Sequence, residues 1–130
     1  MAYNKRVKLL SLPKNLKAVR QNMCSSCTDL KTVIIGEGTS VIEDQAFILC
    51  SQLENVVIPN TVETIGINAF HMCRSLTSIT LPESLKIISN NALSNTGITS
   101  LTIPQNVQKI GSMAFYGSYL TDLYFAGTVE

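Results

Sequence analysis

The amino-acid sequence predicts a mainly β fold in which one short structural unit is repeated in tandem. The repetition is visible where "FILCSQLENVVIP", residues 47–59, returns as "FHMCRSLTSITLP", residues 70–82. A fixed period of twenty-odd residues indicates a solenoid, in which each unit buries its apolar side only against its neighbours. Five units start at Pro13, Gly36, Pro59, Pro82 and Pro104, which gives steps of 23, 23, 23 and 22 residues.

Each unit contains one run of the form L-x-x-I-x-L, which we interpret as a strand. The last three positions of the run alternate between inside and outside, and they favour β-branched side chains, as a half-buried strand requires. Successive copies are expected to stack as a parallel sheet. The inward residues are Leu30/Val33/Ile35, Leu53/Val56/Ile58, Leu76/Ile79/Leu81, Ile98/Leu101/Ile103 and Leu120/Leu123/Phe125.

The rest of each unit predicts a corner, a second strand and a core-filling pair. Proline fits just after a strand, because it has no N–H for the ladder and fixes the direction of the chain. The apolar pair that follows, such as Val62 and Ile65, predicts a shorter strand on another side of the coil. An alanine then lets neighbouring coils approach, and the large residue after it fills the centre. These pairs are Ala46-Phe47, Ala69-Phe70, Ala92-Leu93 and Ala114-Phe115.

Composition favours one folded domain. The chain has 130 residues, of which 45% are hydrophobic and 15% charged, so it is not of the disordered class. We predict a single domain over residues 1–130, with an incomplete unit at its C-terminal end. No apolar run reaches the ~18 residues of a spanning helix, so membrane insertion is not expected. The N-terminus "MAYNKRVKLLSLPK" lacks the apolar stretch of a signal peptide.

Charge is distributed unevenly along the chain. Residues 1–31 hold seven Lys or Arg against Asp29 alone, or 7 − 1 = +6, whereas the remainder holds three against eight acids, or 3 − 8 = −5. A basic end can steer an anionic partner, although a solvated terminal cap is the simpler interpretation.

The cysteines are predicted to be structural. Cys24 and Cys27 form a C-x-x-C, but a zinc site needs four ligands, and the one histidine, His71, is two units away. Cys27, Cys50 and Cys73 instead recur every 23 residues, which stacks them in one column. We therefore predict four buried thiols, with no metal site.

No catalytic constellation is present in the sequence. His71 follows the core residue Phe70, so we place it on an outer corner without a chemical role. The acids Glu43 and Asp44 are adjacent rather than on one face. A Gly-rich phosphate loop, H-E-x-x-H and G-x-S-x-G are all missing. We predict no catalytic residue and no cofactor, and the chain is not expected to be an enzyme.

The outward positions of the L-x-x-I-x-L strands form the predicted binding face. Solenoid curvature makes such a face the usual binding surface, and exposed apolar or aromatic groups carry most interface energy. The threonine-rich stretch of residues 77–102 is explained by strand propensity alone. The candidate protein-binding residues are Ile34, Glu54, Val57, Asp122 and Tyr124.

The repeat pattern resembles a known family. L-x-x-I-x-I/L-P-x-x-V-x-x-I-G-x-x-A-F-x-x-C, seen whole in "IPNTVETIGINAFHMCRSLTSITLP", residues 58–82, resembles the BspA-like (treponemal-type) leucine-rich repeats. The resemblance extends from about residue 10 to residue 125 and departs at Met23-Cys24, Leu93 and Thr96. It implies a right-handed leucine-rich-repeat solenoid of about five 22–23-residue repeats with a stacked parallel sheet. It also implies a surface or secreted bacterial or protozoan protein linked to adhesion and protein binding.

Three functions remain open at this point. We favour a non-enzymatic protein-interaction or adhesion module with an unknown protein partner. One alternative is a structural spacer within a larger protein, and the other is a binder of anionic polymers through the basic N-terminal unit. Nucleic acid is not expected, because aromatic residues for base stacking are not interleaved with the basic ones. Association through the C-terminal coil, residues 120–125, is expected because too few residues follow that strand to build a cap. The coil would contact either a second copy of the chain or further repeats of a longer protein.

Overall fold

The computed structural model describes residues 4–127, and within that range the chain forms short parallel strands and no helix. The alternating apolar positions of the repeat account for this architecture, since each strand buries only one side. Ten strands lie in the described range: β1 (Leu9–Ser11), β2 (Ala18–Val19), β3 (Thr32–Ile34), β4 (Val41–Ile42), β5 (Asn55–Val57), β6 (Thr64–Ile65), β7 (Ile87–Ile88), β8 (Ser100–Ile103), β9 (Lys109–Ile110) and β10 (Asp122–Phe125).

One side of the solenoid is a continuous sheet of five two-residue strands. This back sheet has the order β2-β4-β6-β7-β9, and every adjacent pair is parallel. Its second position is apolar in each coil; Ile42, Ile65 and Ile88 stand in register and are fully buried. The prediction of a second, shorter strand after each corner is confirmed.

The opposite side, the face sheet, consists of two pieces. β1, β3 and β5 form one piece, and β8 and β10 form the other. The coil between them has no strand: within the described range, residues 77–81 make no backbone hydrogen bond to β5 or β8. The predicted strand around Ile79 and Leu81 is therefore wrong, and the inward residues Val56 and Ile79 are only half-buried there.

The interruption coincides with a change in corner length. Leu76 stands seven positions after Ala69, whereas Ile98 stands only six positions after Ala92. The shorter corner runs close to the coil before it, since a Cβ at Gly97 would lie 2.7 Å from the Arg74 carbonyl oxygen. The two corner lengths meet between residues 77–81 and β8, one of the two places where the ladder is missing. The corners before β5 and before residues 77–81 have equal length, since Leu53 also stands seven positions after Ala46, so corner length does not explain the missing ladder between those two coils.

The face sheet begins earlier than the repeat pattern predicts. β1 precedes the first predicted unit at Pro13 and pairs with β3, placing Leu10 opposite Val33. Leu10 and Leu12 are buried, so this segment already has the inward positions of a repeat strand. A paired strand thus follows directly after the charged residues 5–8, and the repeat architecture begins before Pro13.

The core is a set of columns running through the coils. Phe47, Phe70 and Leu93 occupy one column with no exposed surface, and Phe115 ends it half-buried. The predicted alanines beside them are buried in all four coils. Pro59, Pro82 and Pro104 are buried at the start of the corners, as predicted.

A third ladder connects the coils at the alanine–phenylalanine corner. In each of the first four coils, three N–H groups donate to carbonyl oxygens of the following coil at 2.8–3.3 Å, as Phe47 N does to Ala69 O. In each triplet the first and third donors have a positive φ and the middle donor does not. The positive-φ positions are Asn22, Gln45, Asn68, Asn91 and Met113 in one column, and Ser26, Leu49, Met72, Asn95 and Gly117 in the other.

Candidate binding surface

The first piece of the face sheet brings together three of the five predicted binding residues. Ile34 in β3 is in register with Val57 in β5, and 38% and 54% of their surfaces are exposed. Glu54 lies one residue before β5 and is also exposed. In β1 the position in register with Ile34 is Ser11, and the exposed Leu9 lies two residues earlier, opposite Thr32. Sequence reasoning missed Leu9, although "LLSLP" has the spacing of a repeat strand.

The second piece holds the other two predicted residues. Asp122 and Tyr124 lie in β10, in register with Ser100 and Thr102 of β8, and 58% of the Tyr124 surface is exposed. Residues 77–81 separate this pair from Ile34, Glu54 and Val57. The five predicted residues therefore form two groups rather than one continuous face.

The interruption between the two groups opens a groove. Its volume is about 270 Å³, and it runs between the unpaired coil and β8. Its walls include the side chains of Ile79, Thr80, Ser100 and Thr102, with Glu83 at one end. Part of the threonine-rich stretch of residues 77–102, for which strand propensity was the predicted explanation, thus lines a groove with both polar and apolar walls.

The last coil carries exposed aromatic residues beside Tyr124. Tyr116 and Tyr119 were not singled out from the sequence, and Phe125, predicted to face inward, is 65% exposed. A second groove, of about 330 Å³, lies next to Phe125 and is lined by Val107, Ile110 and other residues of that coil. A sequence signal existed, because three of the four tyrosines fall within residues 116–124.

The four cysteines are buried thiols, as predicted. The Cys50 thiol donates to the Cys24 carbonyl oxygen at 3.0 Å, and the Cys73 thiol donates to the Phe47 carbonyl oxygen at 3.1 Å. Burial raises the pKa of Cys50 to about 12, and it raises the pKa of Cys24, Cys27 and Cys73 as well. Because the thiolate is the reactive and metal-binding form, these protonated thiols are poor nucleophiles and poor metal ligands at neutral pH.

The later coils replace the cysteine by a hydroxyl. The Thr96 hydroxyl donates to Leu93 O at 3.0 Å, and the Ser118 hydroxyl donates to Phe115 O at 2.7 Å. These bonds stay within one coil, whereas the thiol bonds join one coil to the previous one. The departure at Thr96 therefore marks the same change of corner type as the shortened spacing.

His71 has a partner that its sequence neighbours did not suggest. Its Nδ1 lies 2.6 Å from the Ser94 hydroxyl oxygen of the next coil. The Ser94 hydroxyl also lies 3.1 Å from Asn91 O, and Ser94 is buried. The pair therefore connects two coils through a hydroxyl that is closed to solvent.

The described residues lack both a metal-binding cluster and a membrane-spanning helix. Among residues 4–127, no group of three or more His, Cys, Asp or Glu side chains is placed to hold a metal ion. The same residues include no helix long and apolar enough to cross a membrane.

Comparison with known proteins gives the family. Residues 2–122 match the BspA type leucine rich repeat region in six copies. The chain belongs to this family. The match begins before Pro13, in agreement with the strand β1. Among curated proteins, none matches the chain at a significant level.

Solved structures of leucine-rich repeat proteins share the fold. A leucine-rich repeat protein from Bacteroides ovatus is 28% identical, with a TM-score of 0.84, over 90% of this chain and 33% of that chain. The T. pallidum leucine-rich repeat protein is 28% identical, with a TM-score of 0.86, over 92% of this chain and 59% of that chain. A leucine-rich cell surface protein from Faecalibacterium prausnitzii is 26% identical, with a TM-score of 0.66, over 93% and 39%. This BspA-type chain thus matches between about a third and three-fifths of each of those chains.

Proposed function

We propose that this BspA-type chain is a non-enzymatic protein-interaction or adhesion module. The observation that carries the proposal is the exposed, in-register pair Ile34 and Val57 on the face sheet. These two large aliphatic side chains stand at outward strand positions and are not part of the buried core cluster. Apolar groups on such a surface are the usual source of binding energy in protein interfaces.

The chemistry of the remaining candidate groups supports a role without catalysis. The thiols are buried and protonated at neutral pH, and the Ser94 hydroxyl beside His71 is buried as well, so a substrate has no access to it. We also propose a location on the cell surface or outside the cell. The support for that location is the similar Faecalibacterium prausnitzii structure, which is described as a cell surface protein.

The experiment measures binding of the purified chain to a panel of extracellular-matrix glycoproteins and to intact epithelial cells. The test variant is Ile34→Thr with Val57→Thr, which keeps β-branched residues in both strands. Its matched control is Ile67→Thr, an isoleucine of similar exposure that lies outside the face sheet. We expect the test variant to lose at least about tenfold in affinity, equal to about 1.4 kcal/mol, and the control to bind as the parent does.

Two other results would replace the proposal with one of its rivals. If neither the panel nor the cells bind the parent chain, a spacer without its own partner is the better description. If the chain binds heparin, with strong salt dependence and no effect of the Ile34 and Val57 changes, the basic N-terminal residues are the binding element.

A further inference from the structure

A column of three charged residues, two lysines and one glutamate, runs beside the exposed apolar residues of the first face-sheet piece. Lys31 N donates to Lys8 O at 2.9 Å, and Glu54 N donates to Lys31 O at 2.9 Å, so these three residues occupy the same position in successive coils. All three are exposed. Within the described range the one ion pair joins Lys86 and Glu63, so neither Lys8 nor Lys31 is in an ion pair there.

Exposed apolar residues lie on the same strands. Ile34 and Val57 are in register, three residues after Lys31 and Glu54, whereas on β1 the in-register position is Ser11 and the exposed Leu9 lies opposite Thr32. All three apolar side chains are exposed. Cations without an acidic partner and exposed aliphatic groups therefore share one surface, which extends over β1, β3 and β5.

We propose that this surface docks an acidic, apolar segment of a protein partner. Carboxylates of the partner would pair with Lys8 and Lys31, and its aliphatic side chains would cover Ile34 and Val57. This inference rests on the proposed function and adds the chemistry of the partner. It follows from charge complementarity, because residues 1–31 carry a net charge of +6 and hold a single acid, Asp29.

Two features favour a protein segment over a polyanion. A sulfated or phosphorylated polymer has no aliphatic side chains to cover Ile34 and Val57. The column also changes sign at Glu54, which would repel a uniformly anionic chain that continued along it. A protein segment satisfies both features when its acidic residues precede or follow apolar ones.

The probe is a fluorescent synthetic peptide of repeated Glu-Glu-Val-Leu, with a Lys-Lys-Val-Leu peptide as its charge-reversed control. The test variant is Lys8→Glu with Lys31→Glu. The matched control is Lys14→Glu with Lys17→Glu, which changes the net charge equally but alters exposed lysines outside the face sheet. If the glutamate pair on the face does not fold, Lys8→Gln with Lys31→Gln replaces it.

The acidic peptide is expected to bind the parent chain, and the lysine peptide is not. The face-sheet pair should weaken binding by about tenfold or more, the control pair by less than about threefold, and Ile34→Thr should weaken it further. Equal weakening by the two lysine pairs would overturn the inference, since it would indicate general attraction to a basic end. It is also overturned if heparin binds with the same dependence on Lys8 and Lys31 and displaces the peptide.

One result would contradict the acidic-partner inference and still support the proposed interaction role. A chain that binds a matrix glycoprotein through Ile34 and Val57, and is indifferent to Lys8 and Lys31, keeps the interaction role. Only the acidic character of the partner would then be wrong.

Discussion

The rings of Phe47 and Phe70 lie one above the other, with centroids 5.3 Å apart and planes at 10°. They belong to successive coils, and both are fully buried. The spacing of the two rings is close to the ~4.8 Å separation of hydrogen-bonded strands. The aromatic column therefore stacks with nearly the same rise as the backbone ladders beside it, and neither has to distort the other.

Replacement of Phe70 by alanine is expected to destabilise the fold strongly. Phe70→Ala removes a buried ring and leaves a cavity between Phe47 and Leu93, at a cost of about 3–5 kcal/mol. Phe115→Ala is the matched control, because Phe115 occupies the same column but is half-buried in the last coil. Denaturant titration gives both free energies of unfolding. A cost for Phe70→Ala no greater than that for Phe115→Ala would contradict a central role for the column.

The left-handed corner positions give a stabilising prediction. Met113 has φ 58° and is exposed, whereas three of the other four residues in its column are asparagines. Asparagine tolerates this conformation better than most residues, since left-handed backbone costs an ordinary L-residue roughly 1–2 kcal/mol. Met113→Asn should therefore raise the free energy of unfolding by up to about 1 kcal/mol.

The reverse change tests the same point. Asn68→Met, at φ 58° in the same column, should lower the free energy of unfolding by a similar amount. Thermal unfolding of the two variants and the parent, measured together, checks both signs. Two shifts of the same sign would show that side-chain contacts, and not the backbone conformation, control these positions.

Most of the fold could be predicted from the repeat period. Because each coil packs only on its neighbours, the inward positions, the buried proline corners and the cysteine column all follow from the 23-residue spacing. β1 was missed because its inward residues Leu10 and Leu12 precede the first proline and follow a run of charges. Asparagines at 22, 68 and 91 are typical of left-handed backbone and so indicate the first positive-φ column. Leu49 and Met72 in the second column are not typical of it, so the sequence did not indicate that column.

The interrupted face had no signal in the repeat consensus. Ile79 and Leu81 fit the pattern as well as Leu101 and Ile103 do, so only the shorter corner before Ile98 distinguishes the two coils. Pairing is a property of two neighbouring coils, and a single-unit pattern cannot report it. For the same reason the sequence predicted that the five candidate residues are exposed, as they are, but did not divide them into two groups.

The thiols make stability depend on pH in the alkaline range. Burial raises the pKa of Cys50 to about 12 from an ordinary value of 9.0, and Cys24 and Cys73 shift in the same direction. Between those two pKa values the unfolded chain holds fewer protons than the folded chain, so the free energy of unfolding falls as pH rises. It should be unaffected by these groups below about pH 9 and decline by up to about 1.4 kcal/mol per pH unit per thiol above it.

Equilibrium unfolding from pH 7 to 11 measures this decline. Cys50→Ala removes one titrating group, so its curve should fall less steeply with pH than that of the parent, whatever its stability at pH 7. At neutral pH, a thiol reagent should label the four cysteines slowly in the folded chain and rapidly in denaturant. Parallel curves for the two proteins, or fast labelling without denaturant, would show that the thiols are not buried in solution.

The C-terminal coil is expected to bind a second copy of the chain. β10 pairs with β8 on one side, and within the described residues its other edge has no strand partner. The inward residue Phe125 is 65% exposed there, whereas Leu10 at the opposite end of the face sheet is 9% exposed. An unpaired edge next to an open apolar surface favours pairing with another chain. Because the open surface lies at one end, a symmetric contact covers it in both copies and closes as a dimer.

Light scattering across a dilution series tests this expectation. The parent chain should change from dimer to monomer on dilution, and Leu123→Lys, which places a charge among the inward residues of β10, should be monomeric throughout. Ile67→Lys introduces the same charge at an exposed isoleucine outside β10 and should still dimerise. A parent chain that stays monomeric at the highest concentration, with its fold intact, would refute pairing through β10. Growth beyond a dimer would instead require a head-to-tail contact, and with it a binding surface at the N-terminal end.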